Sequence, residues 1–183
     1  MRRSERVVLL DEHRRPIGSA DKVGIHGPDT PLHLAFSCYL QDEEGRILVT
    51  RRALAKRTWP GVWTNSFCGH PSPGEPLHDA VRRRGRQELG AAISGIREAL
   101  PDFRYRAADA GGIVENEVCP VFIADLDGAI HPEPEEVVEW SWVHPLALAQ
   151  SIALTPFAFS PWLREQLPLL IRHRHLEGAD RNA

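Results

Sequence analysis

Residues 69–90 read GHPSPGEPLHDAVRRRGRQELG and carry the strongest helix signal in the chain. Proline fits the first turn of a helix and glycine fits its end, so Pro76 and Gly90 predict the two boundaries. Along one face of this helix the sequence places, in order, Leu77, Val81, Arg84 and Glu88. A stripe that begins apolar and ends charged predicts a helix whose far end points into a polar site.

Outward from this helix, short apolar runs predict strands on both sides of it. The two runs that flank the Gly-containing turn at 42–45 predict a hairpin. A second helix is predicted over residues 160–176 with a kink at Pro168, and residues 177–183 should fray. The predicted strands cover residues 7–10, 32–40, 46–51, 61–67, 103–107, 118–125 and 139–143. Because no repeat or linker interrupts these elements, we predict a single α/β (α+β) domain over residues 4–176, a mixed sheet with helices packed on it.

The composition excludes several classes of protein. Lys+Arg is 22 and Asp+Glu is 25 in 183 residues, and the resulting net charge of −3 does not suit a strongly basic nucleic-acid-binding protein. No apolar run approaches the roughly 18 residues of a membrane span. Three widely spaced cysteines do not form a disulfide framework. We therefore expect a cytoplasmic protein that binds neither nucleic acid nor membrane.

Two glutamates flank Asn116 at the start of a strongly β-forming segment. Alternate residues of a strand point to the same face, so Glu115 and Glu117 are expected to project together. Neighbouring carboxylates repel each other unless a cation or a shared proton relieves them. A metal site would explain this pair, and the alternative is a solvated face of an edge strand.

A second candidate is Cys68-Gly69-His70, where a predicted strand ends. In an extended chain Cys68 and His70 face the same side. Imidazole is a common metal ligand, and a thiol can ligate a metal or carry a proton. The alternative is a small buried cysteine next to a surface histidine.

Two further histidines, His26 and His33, bracket a loop that Pro28 and Pro31 stiffen. Their imidazoles can therefore be held at a fixed separation. Singly, each is an ordinary polar histidine. Together with His70 and the two carboxylates they would give three nitrogen and two oxygen ligands, a set that suits Mn²⁺, Mg²⁺ or Zn²⁺.

Cations cluster in the same parts of the sequence. Five cations lie near these loops: Lys22, Arg51, Arg52, Lys56 and Arg57. Arg and Lys side chains clamp phosphates, and a solvated face is the alternative. Most arginines of the central helix are expected to form such a face, but Arg84 lies on the otherwise core-facing stripe.

The spacing in the opening stretch is similar to that of the Nudix box, which normally ends Arg-Glu-(apolar)-x-Glu-Glu-x-Gly. The matching positions are Gly69, Glu75, Arg83, Glu88 and Gly90. Residues 83–90, however, read RRGRQELG, so Arg84 and Gln87 replace two of the three acids of the box. A Nudix hydrolase needs those carboxylates to hold the metals that activate water. The remaining carboxylate, Glu88, is better suited to holding one Mg²⁺–diphosphate than to cleaving it.

Over about residues 4–165 the chain resembles the type 1 isopentenyl-diphosphate Δ-isomerases, which have the Nudix fold. Each motif of this resemblance is weak alone, but all of them occur in order. They are LHLAF (32–36), TRRAL (50–54), WPGVWTNS (59–66), CGHP (68–71), YR (105–106), ENEVCP (115–120) and FSPW (159–162). The resemblance implies a mixed β-sheet sandwiched between helices. It also implies conversion of isopentenyl diphosphate to dimethylallyl diphosphate, by proton addition at C4 and proton removal at C2 through a tertiary carbocation.

The resemblance further implies two metal ions and a small-molecule partner. One tightly held divalent ion would be ligated by His26, His33, His70, Glu115 and Glu117. A Mg²⁺ that bridges the diphosphate would be held by Glu88 and the backbone carbonyl of Cys68. The phosphates of a prenyl diphosphate substrate would be bound by Lys22, Arg52, Lys56 and Arg84. The expected assembly is a monomer or a weak homodimer.

The catalytic roles implied by the resemblance fall on four residues. Cys68 and Glu117 would form the acid/base pair on opposite faces of the alkene. Tyr105 would orient Glu117. Trp162 would stabilise the carbocation, since an indole face is rich in electrons but offers no nucleophilic oxygen.

Two other functions stay open from the sequence. The first is a Nudix hydrolase acting on a diphosphate, which the altered box argues against. The second is a metal-stabilised module that binds a phosphorylated partner without catalysis. That module would leave Cys68 and Trp162 without a role, and it predicts that Cys68→Ala leaves function intact.

Overall fold

The computed structural model describes residues 5–176, and in this part of the chain strands predominate over helices. The strands are β1 (Arg6–Leu10), β2 (Pro16–Asp21), β3 (His33–Leu34), β4 (Phe36–Gln41), β5 (Ile47–Arg52), β6 (Trp63–Thr64), β7 (Phe67–Gly69), β8 (Ala92–Leu100), β9 (Arg104–Ala108), β10 (Val114–Val118), β11 (Val121–Asp127) and β12 (Val137–Val143). The helices are α1 (Lys22–Ile25), α2 (Leu77–Leu89), α3 (Pro145–Leu154) and α4 (Pro161–Arg172), with a 3₁₀ turn at Pro156–Ala158. Within residues 5–176, none of the helices has the length and apolar character needed to span a membrane.

The strands form two sheets, and within residues 5–176 the chain crosses between them three times, twice at neighbouring places. The first sheet has the order β2-β1-β3-β10-β9, and the second has the order β12-β5-β4-β11-β8, with β6 beside β5 and β7 beside β4. Ala35 separates β3 from β4, and residues 119–120 separate β10 from β11. Because β3 pairs with β10 and β4 pairs with β11, both in parallel, the two crossings lie side by side. Side chains from both sheets can therefore meet at this junction.

Helices cover both faces of the second sheet, as the alternation of side chains along β4 requires. Phe36 and Cys38 pack in one apolar cluster with Val81 of α2. Tyr39, which points to the other face, packs in a second cluster with Leu163 of α4. The predicted sheet between helices is thus confirmed. The separate five-stranded sheet is a feature that the sequence did not predict.

The central helix begins and ends where the sequence predicts. Pro76 directly precedes α2, and Gly90 ends it in a left-handed conformation with φ at 58°. The Gly90 N–H then bonds the Arg86 carbonyl oxygen at 3.1 Å, which satisfies one of the free carbonyls at the helix end. A side chain here would be strained, and its Cβ would lie 2.8 Å from the carbonyl oxygen of His131.

The hairpin prediction is confirmed, whereas several element boundaries were wrong. β4 and β5 pair antiparallel through Gln41 and Ile47. The predicted strand at 61–67 is instead the two short strands β6 and β7, and the segment around the glutamate pair forms its own strand, β10. β8 and α3 were missed, because apolar and polar residues do not alternate regularly along β8, and α3 is apolar on most of its faces and shows little periodicity.

The C-terminal helix is shorter than predicted. α4 contains Pro168 and ends at Arg172 rather than at residue 176. Arg174 has φ at 58°, a conformation that cannot continue a right-handed helix. Residues 177–183, for which we predicted fraying, lie outside the described residues.

Candidate active site

A cavity of about 610 Å³ is lined by residues of both sheets and of α4. Glu117 comes from the first sheet, Cys68 from the second, and Trp162 from the first turn of α4. All of the residues predicted for the site line this cavity except His33. His33 is fully buried, and its Nε2 lies 3.3 Å from Glu117 Oε1. The size suits a small-molecule site.

Three histidines and one glutamate converge from four separate segments. His26 follows α1, His33 lies in β3 in register with Glu117 of β10, and His70 follows β7. Each offers one ligand atom, and all four atoms lie within 4.8 Å of one another. We call these four residues the histidine cluster. Nitrogen ligands with a carboxylate oxygen suit a divalent ion.

In this cluster, the Nε2 atoms of His33 and His70 and a carboxylate oxygen of Glu117 lie close together. The carbonyl oxygen of Pro31, 2.9 Å from His33 Nδ1, can only accept, so Nδ1 carries a hydrogen, and Nε2 has a lone pair for a metal whenever the ring is neutral. That Nε2 lies 3.2 Å from His70 Nε2, which in turn is 3.1 Å from Glu117 Oε1. Within residues 5–176, His26 Nε2 is buried without a hydrogen bond. A cation between these atoms would relieve them, so the residues fit a divalent ion.

Glu115 stands beside the histidine cluster. Its Oε2 lies 3.4 Å from His26 Nε2, and its Oε1 accepts a hydrogen bond from the Thr58 hydroxyl at 2.9 Å. Glu115 and Glu117 are both buried, which excludes the solvated strand face. The assignment of Glu115 as a fifth ligand remains a prediction.

Burial and pairing set the protonation states of the cluster. Burial raises the pKa of Glu115, and the nearby charge of Glu117 raises it further. Burial acts on Glu117 in the same direction, but hydrogen bonds with His33 and His70 outweigh it and hold its pKa well below the usual range. Burial lowers the pKa of His70 to about 4. A neutral histidine and an ionised glutamate are the forms that ligate a metal.

The Cys68 thiol lies between two polar neighbours. β7 pairs with β4 so that Cys68 stands opposite Ser37, and the sulfur is 3.4 Å from the Ser37 hydroxyl oxygen. The thiol donates a hydrogen bond to Asn65 Oδ1 at 3.3 Å. Burial raises the pKa of Cys68 to about 12, so the side chain carries its proton at neutral pH. Cys68 also lines the cavity, so a bound molecule can reach it, and its catalytic role remains a prediction.

Aromatic rings line the cavity next to Glu117. The Tyr105 hydroxyl donates to Glu117 Oε2 at 2.9 Å, as the predicted orienting role requires. The Trp162 ring centroid lies 5.8 Å from that of Tyr105 and 5.6 Å from that of Trp59. The guanidinium carbon of Arg52 is 5.4 Å from the Trp162 centroid. Tyr105 and Trp162 therefore give the cavity an electron-rich aromatic wall beside Glu117.

Three of the four cations predicted to bind phosphates, Lys22, Lys56 and Arg84, already have carboxylate partners. Lys22 Nζ lies 2.6 Å from Glu5 Oε2, and Lys56 forms an ion pair with Glu136. Burial lowers the pKa of Lys56 to about 8. We call Lys22, Lys56 and Arg84, three of the cations that line the cavity, the basic end.

The residues of α2 that replace or retain the acids of the Nudix box lie at the basic end. Arg84 is buried and pairs with Glu88 one turn further along α2. Gln87, at a position where a hydrolase has a carboxylate, accepts hydrogen bonds from Arg83 and Arg84 at 3.1 and 3.3 Å. Arg83 also donates two hydrogen bonds to the Glu75 carboxylate, each at 2.8 Å. Glu88 is therefore the cavity-lining acid that the box retains.

Arg52 makes contacts that the sequence did not predict. Its guanidinium donates to the carbonyl oxygens of Thr58 at 2.8 Å and of Trp59 at 3.1 Å. It therefore braces the loop whose Thr58 hydroxyl contacts Glu115. Its assignment as a phosphate ligand remains a prediction. The functional neighbours that sequence reasoning missed are Glu5, Thr58, Asn65 and Glu136.

Residues 31–168 match the NUDIX domain family. The fold agrees with two solved structures. A protein from Deinococcus radiodurans has a TM-score of 0.71 at 20% identity and covers 90% of this chain and 98% of its own. A MutT protein from Methanosarcina mazei has a TM-score of 0.61 at 19% identity, with 79% and 96% covered. The chain is therefore a member of the Nudix superfamily.

Sequence relatives narrow this class. A protein named isopentenyl-diphosphate Delta-isomerase from Leifsonia xyli is 60% identical over 168 residues, 91% of each chain. Another of the same name from Paenarthrobacter aurescens is 57% identical over 171 residues, 93% of each chain. The chain belongs to the isopentenyl-diphosphate Delta-isomerase family.

Proposed function

We propose that this protein converts isopentenyl diphosphate to dimethylallyl diphosphate. The observation that carries the proposal is the placement of Cys68 and Glu117. A protonated thiol and an ionised carboxylate line one cavity from two different sheets. Moving a double bond along a chain needs one group that gives a proton and one that takes a proton, and this pair supplies both.

The basic end holds the diphosphate. Lys22, Lys56 and Arg84 line the same cavity as the acid/base pair, so a substrate held by its phosphates extends its short alkene toward Cys68 and Glu117. Arg52 adds a fourth cation on this side. Binding energy from these contacts positions the alkene, which itself offers no polar handle.

One of the two groups gives a proton to the substrate and the other takes a proton from it, so the substrate gains and loses one proton in each turnover. The alkene π electrons form a new C–H bond at C4 with the proton from one of them, which leaves a tertiary cation at C3. The C–H pair at C2 then forms the new double bond as the other group takes that proton. Tyr105 fixes the Glu117 carboxylate through its 2.9 Å hydrogen bond.

Trp162 stabilises the carbocation between these two steps. Its buried indole offers an electron-rich face, and a cation over such a face is favoured by up to about 2 kcal/mol or more when water is excluded. The indole has no oxygen that could trap the cation. Exclusion of water from this wall protects the intermediate in the same way.

Divalent metal ions complete the proposal. We infer that the histidine cluster, with Glu115, holds one ion that is Mn²⁺, Mg²⁺ or Zn²⁺, and that Glu88 and the Cys68 carbonyl hold Mg²⁺ with the diphosphate. When bound, such ions neutralise phosphate charge and polarise the Glu117 carboxylate. A cytoplasmic location suits the protein, because a reducing compartment keeps the Cys68 thiol available.

The direct test is to incubate the protein with isopentenyl diphosphate and Mg²⁺ and to follow the substrate and product by NMR. We expect dimethylallyl diphosphate to appear and no inorganic phosphate or pyrophosphate. Steady phosphate release, abolished by Glu88→Gln, would instead support the hydrolase. The box carries Arg84 and Gln87 where that activity needs carboxylates, so the hydrolase is not favoured.

A further inference from the structure

One buried amide, Asn65, contacts two catalytic groups that come from different elements. Asn65 lies between β6 and β7 and is fully buried. Its Oδ1 accepts hydrogen bonds from the Cys68 thiol at 3.3 Å, from the Trp162 indole N–H at 2.9 Å and from the Thr64 hydroxyl at 3.0 Å. Asn65 is not among the residues that line the cavity. Any effect on the reaction must pass through its partners.

Two backbone carbonyls fix the direction of this amide. Asn65 Nδ2 donates to the carbonyl oxygens of Cys38 at 2.9 Å and of Phe67 at 2.8 Å. Carbonyl oxygens only accept, and an indole N–H only donates. The nitrogen must therefore face the backbone, and the oxygen must face the thiol and the indole of Trp162. A turned amide would oppose donor to donor and acceptor to acceptor.

The start of α4 is tied to the same amide. Trp162 lies in the first turn of α4, and the Ser160 hydroxyl caps this helix by accepting from Leu163 N at 3.4 Å. The same hydroxyl lies 2.8 Å from the Thr64 hydroxyl, which donates to Asn65. The helix that carries the indole is thereby fixed to the strand segment that carries the thiol.

We infer that Asn65 is a positioning residue that holds the thiol of Cys68 and the indole of Trp162 in register with each other. The inference rests on the proposed isomerase function and extends it to a residue outside the cavity. Proton transfer at the alkene and stabilisation of the neighbouring cation need the sulfur and the ring at one fixed separation. A single oxygen shared by both groups provides it, and a misplacement of about 1 Å can cost about 10²-fold in rate.

The test is a double-mutant cycle between Asn65→Leu and Trp162→Phe, with kcat and KM for isopentenyl diphosphate measured at each corner. Leu is close to Asn in size but accepts no hydrogen bond, and Phe keeps an aromatic face without the N–H. We expect Asn65→Leu to lower kcat about 10²-fold in the parent and only about tenfold in the Trp162→Phe background. KM should change little, because the diphosphate is held elsewhere. Equal losses in the two backgrounds would overturn the inference.

Thr50→Val is the matched control. The Thr50 hydroxyl is buried in the same region and donates to the backbone carbonyls of Asn65 and Ser66 at 3.0 and 3.2 Å, without touching the thiol or the indole. Its loss should lower Tm and leave kcat within about twofold of the parent. If Thr50→Val lowered kcat as much as Asn65→Leu, the amide would act only through general stability, and the inference would be wrong.

A second readout needs no substrate. In protein with isotope-labelled tryptophan, the Trp162 indole N–H signal is identified by its absence from Trp162→Phe, and it should shift and exchange faster in Asn65→Leu. If Asn65→Leu does not fold, Asn65→Ala replaces it, because the space it leaves can hold a water that serves the two carbonyls. An unchanged indole signal, or failure of both variants to fold, would contradict the inference. An inactive parent would contradict the proposed function alone, since the indole readout would still hold.

Discussion

The histidine cluster and the basic end satisfy their polar groups in opposite ways. In the histidine cluster, ring nitrogens of His33 and His70 and a carboxylate oxygen of Glu117 converge within 3.3 Å of one another. At the basic end, Lys22 and Lys56 each have a carboxylate partner from another segment. The first arrangement offers several ligand atoms to one cation. The second already pairs its charges, so under the proposed function a bound diphosphate would replace the carboxylate partners. We therefore expect a resident metal on one side and a readily exchanged ligand on the other.

The largest effect is expected at Cys68, which lines the cavity that the two regions share. Cys68→Ala should retain the resident metal, since the ligands remain, but lose at least 10²–10⁴-fold in kcat, the usual contribution of a general acid or base. Cys68→Ser should retain more activity than Cys68→Ala, because a hydroxyl can still relay a proton. The measurements are turnover of isopentenyl diphosphate and metal content of the purified proteins.

Cys38→Ala is the control for this prediction. Cys38 is fully buried and belongs to the apolar cluster that includes Val81 of α2. On β4 it points to the face opposite to that of its neighbour Ser37, the residue that contacts Cys68. Its loss should therefore affect stability and not turnover. Parent-like turnover by Cys68→Ala would reduce Cys68 to a core residue and remove the role given to it here.

The next largest effects are expected from two Glu→Gln variants, one in the histidine cluster and one at the basic end, which should differ in metal content. Glu117→Gln should lose both resident metal and turnover, because this carboxylate belongs to the cluster and to the acid/base pair. Glu88→Gln should keep the resident metal and weaken the response to added Mg²⁺, because Glu88 faces the basic end. Metal content and Mg²⁺-dependent rates are measured for both variants. The same metal content in both would argue against two separate ion sites.

Lowering the pH should release the metal ion from the histidine cluster. Ligation needs neutral histidine and ionised glutamate, so metal occupancy should be full near neutral pH and fall as the pH drops below about 6.5, the usual pKa of histidine. Metal content after equilibration across this range is the measurement. Occupancy that stayed constant to well below pH 4, where even His70 with its pKa of about 4 is protonated, would be incompatible with histidine ligands.

The smallest effect is expected from the partner exchange at the basic end. Glu136→Gln removes the carboxylate that pairs with Lys56, so KM for isopentenyl diphosphate should fall by about threefold, the scale of a partly exposed ion pair. Lys56→Gln should raise KM instead. Glu44→Gln, at a surface ion pair with Arg46, serves as the control and should leave KM unchanged. A higher KM in Glu136→Gln would show that this carboxylate supports substrate binding.

The sequence predicted the parts of the site that lie in short motifs. Cys68 and His70 are two residues apart, and so are Glu115 and Glu117, so the two-residue period of a strand already indicates that each pair shares a face. The box window likewise indicates that Arg84 and Glu88 share a helix face. These relations can be predicted from the sequence because they depend only on the local backbone geometry of a strand or a helix.

The missed features depend on contacts between distant segments. Glu5 and Glu136 meet the cations of the basic end from segments far away in the chain, and no spacing rule connects them. Asn65 looks like one more polar residue of a motif, and only the folded chain shows its oxygen between Cys68 and Trp162. The split of the strands into two sheets was missed for the same reason, because the crossings are set by which strands pair.

The most direct test of the central claim, that this cavity moves a proton onto and off the carbon skeleton, is turnover of isopentenyl diphosphate in D₂O. If Cys68 and Glu117 exchange protons with solvent between turnovers, the dimethylallyl diphosphate formed by the parent should carry deuterium in the methyl group derived from C4. Cys68→Ala should form this product at least about 10²-fold more slowly than the parent. Dimethylallyl diphosphate without deuterium, or deuterated product formed equally well by Cys68→Ala, would contradict the account.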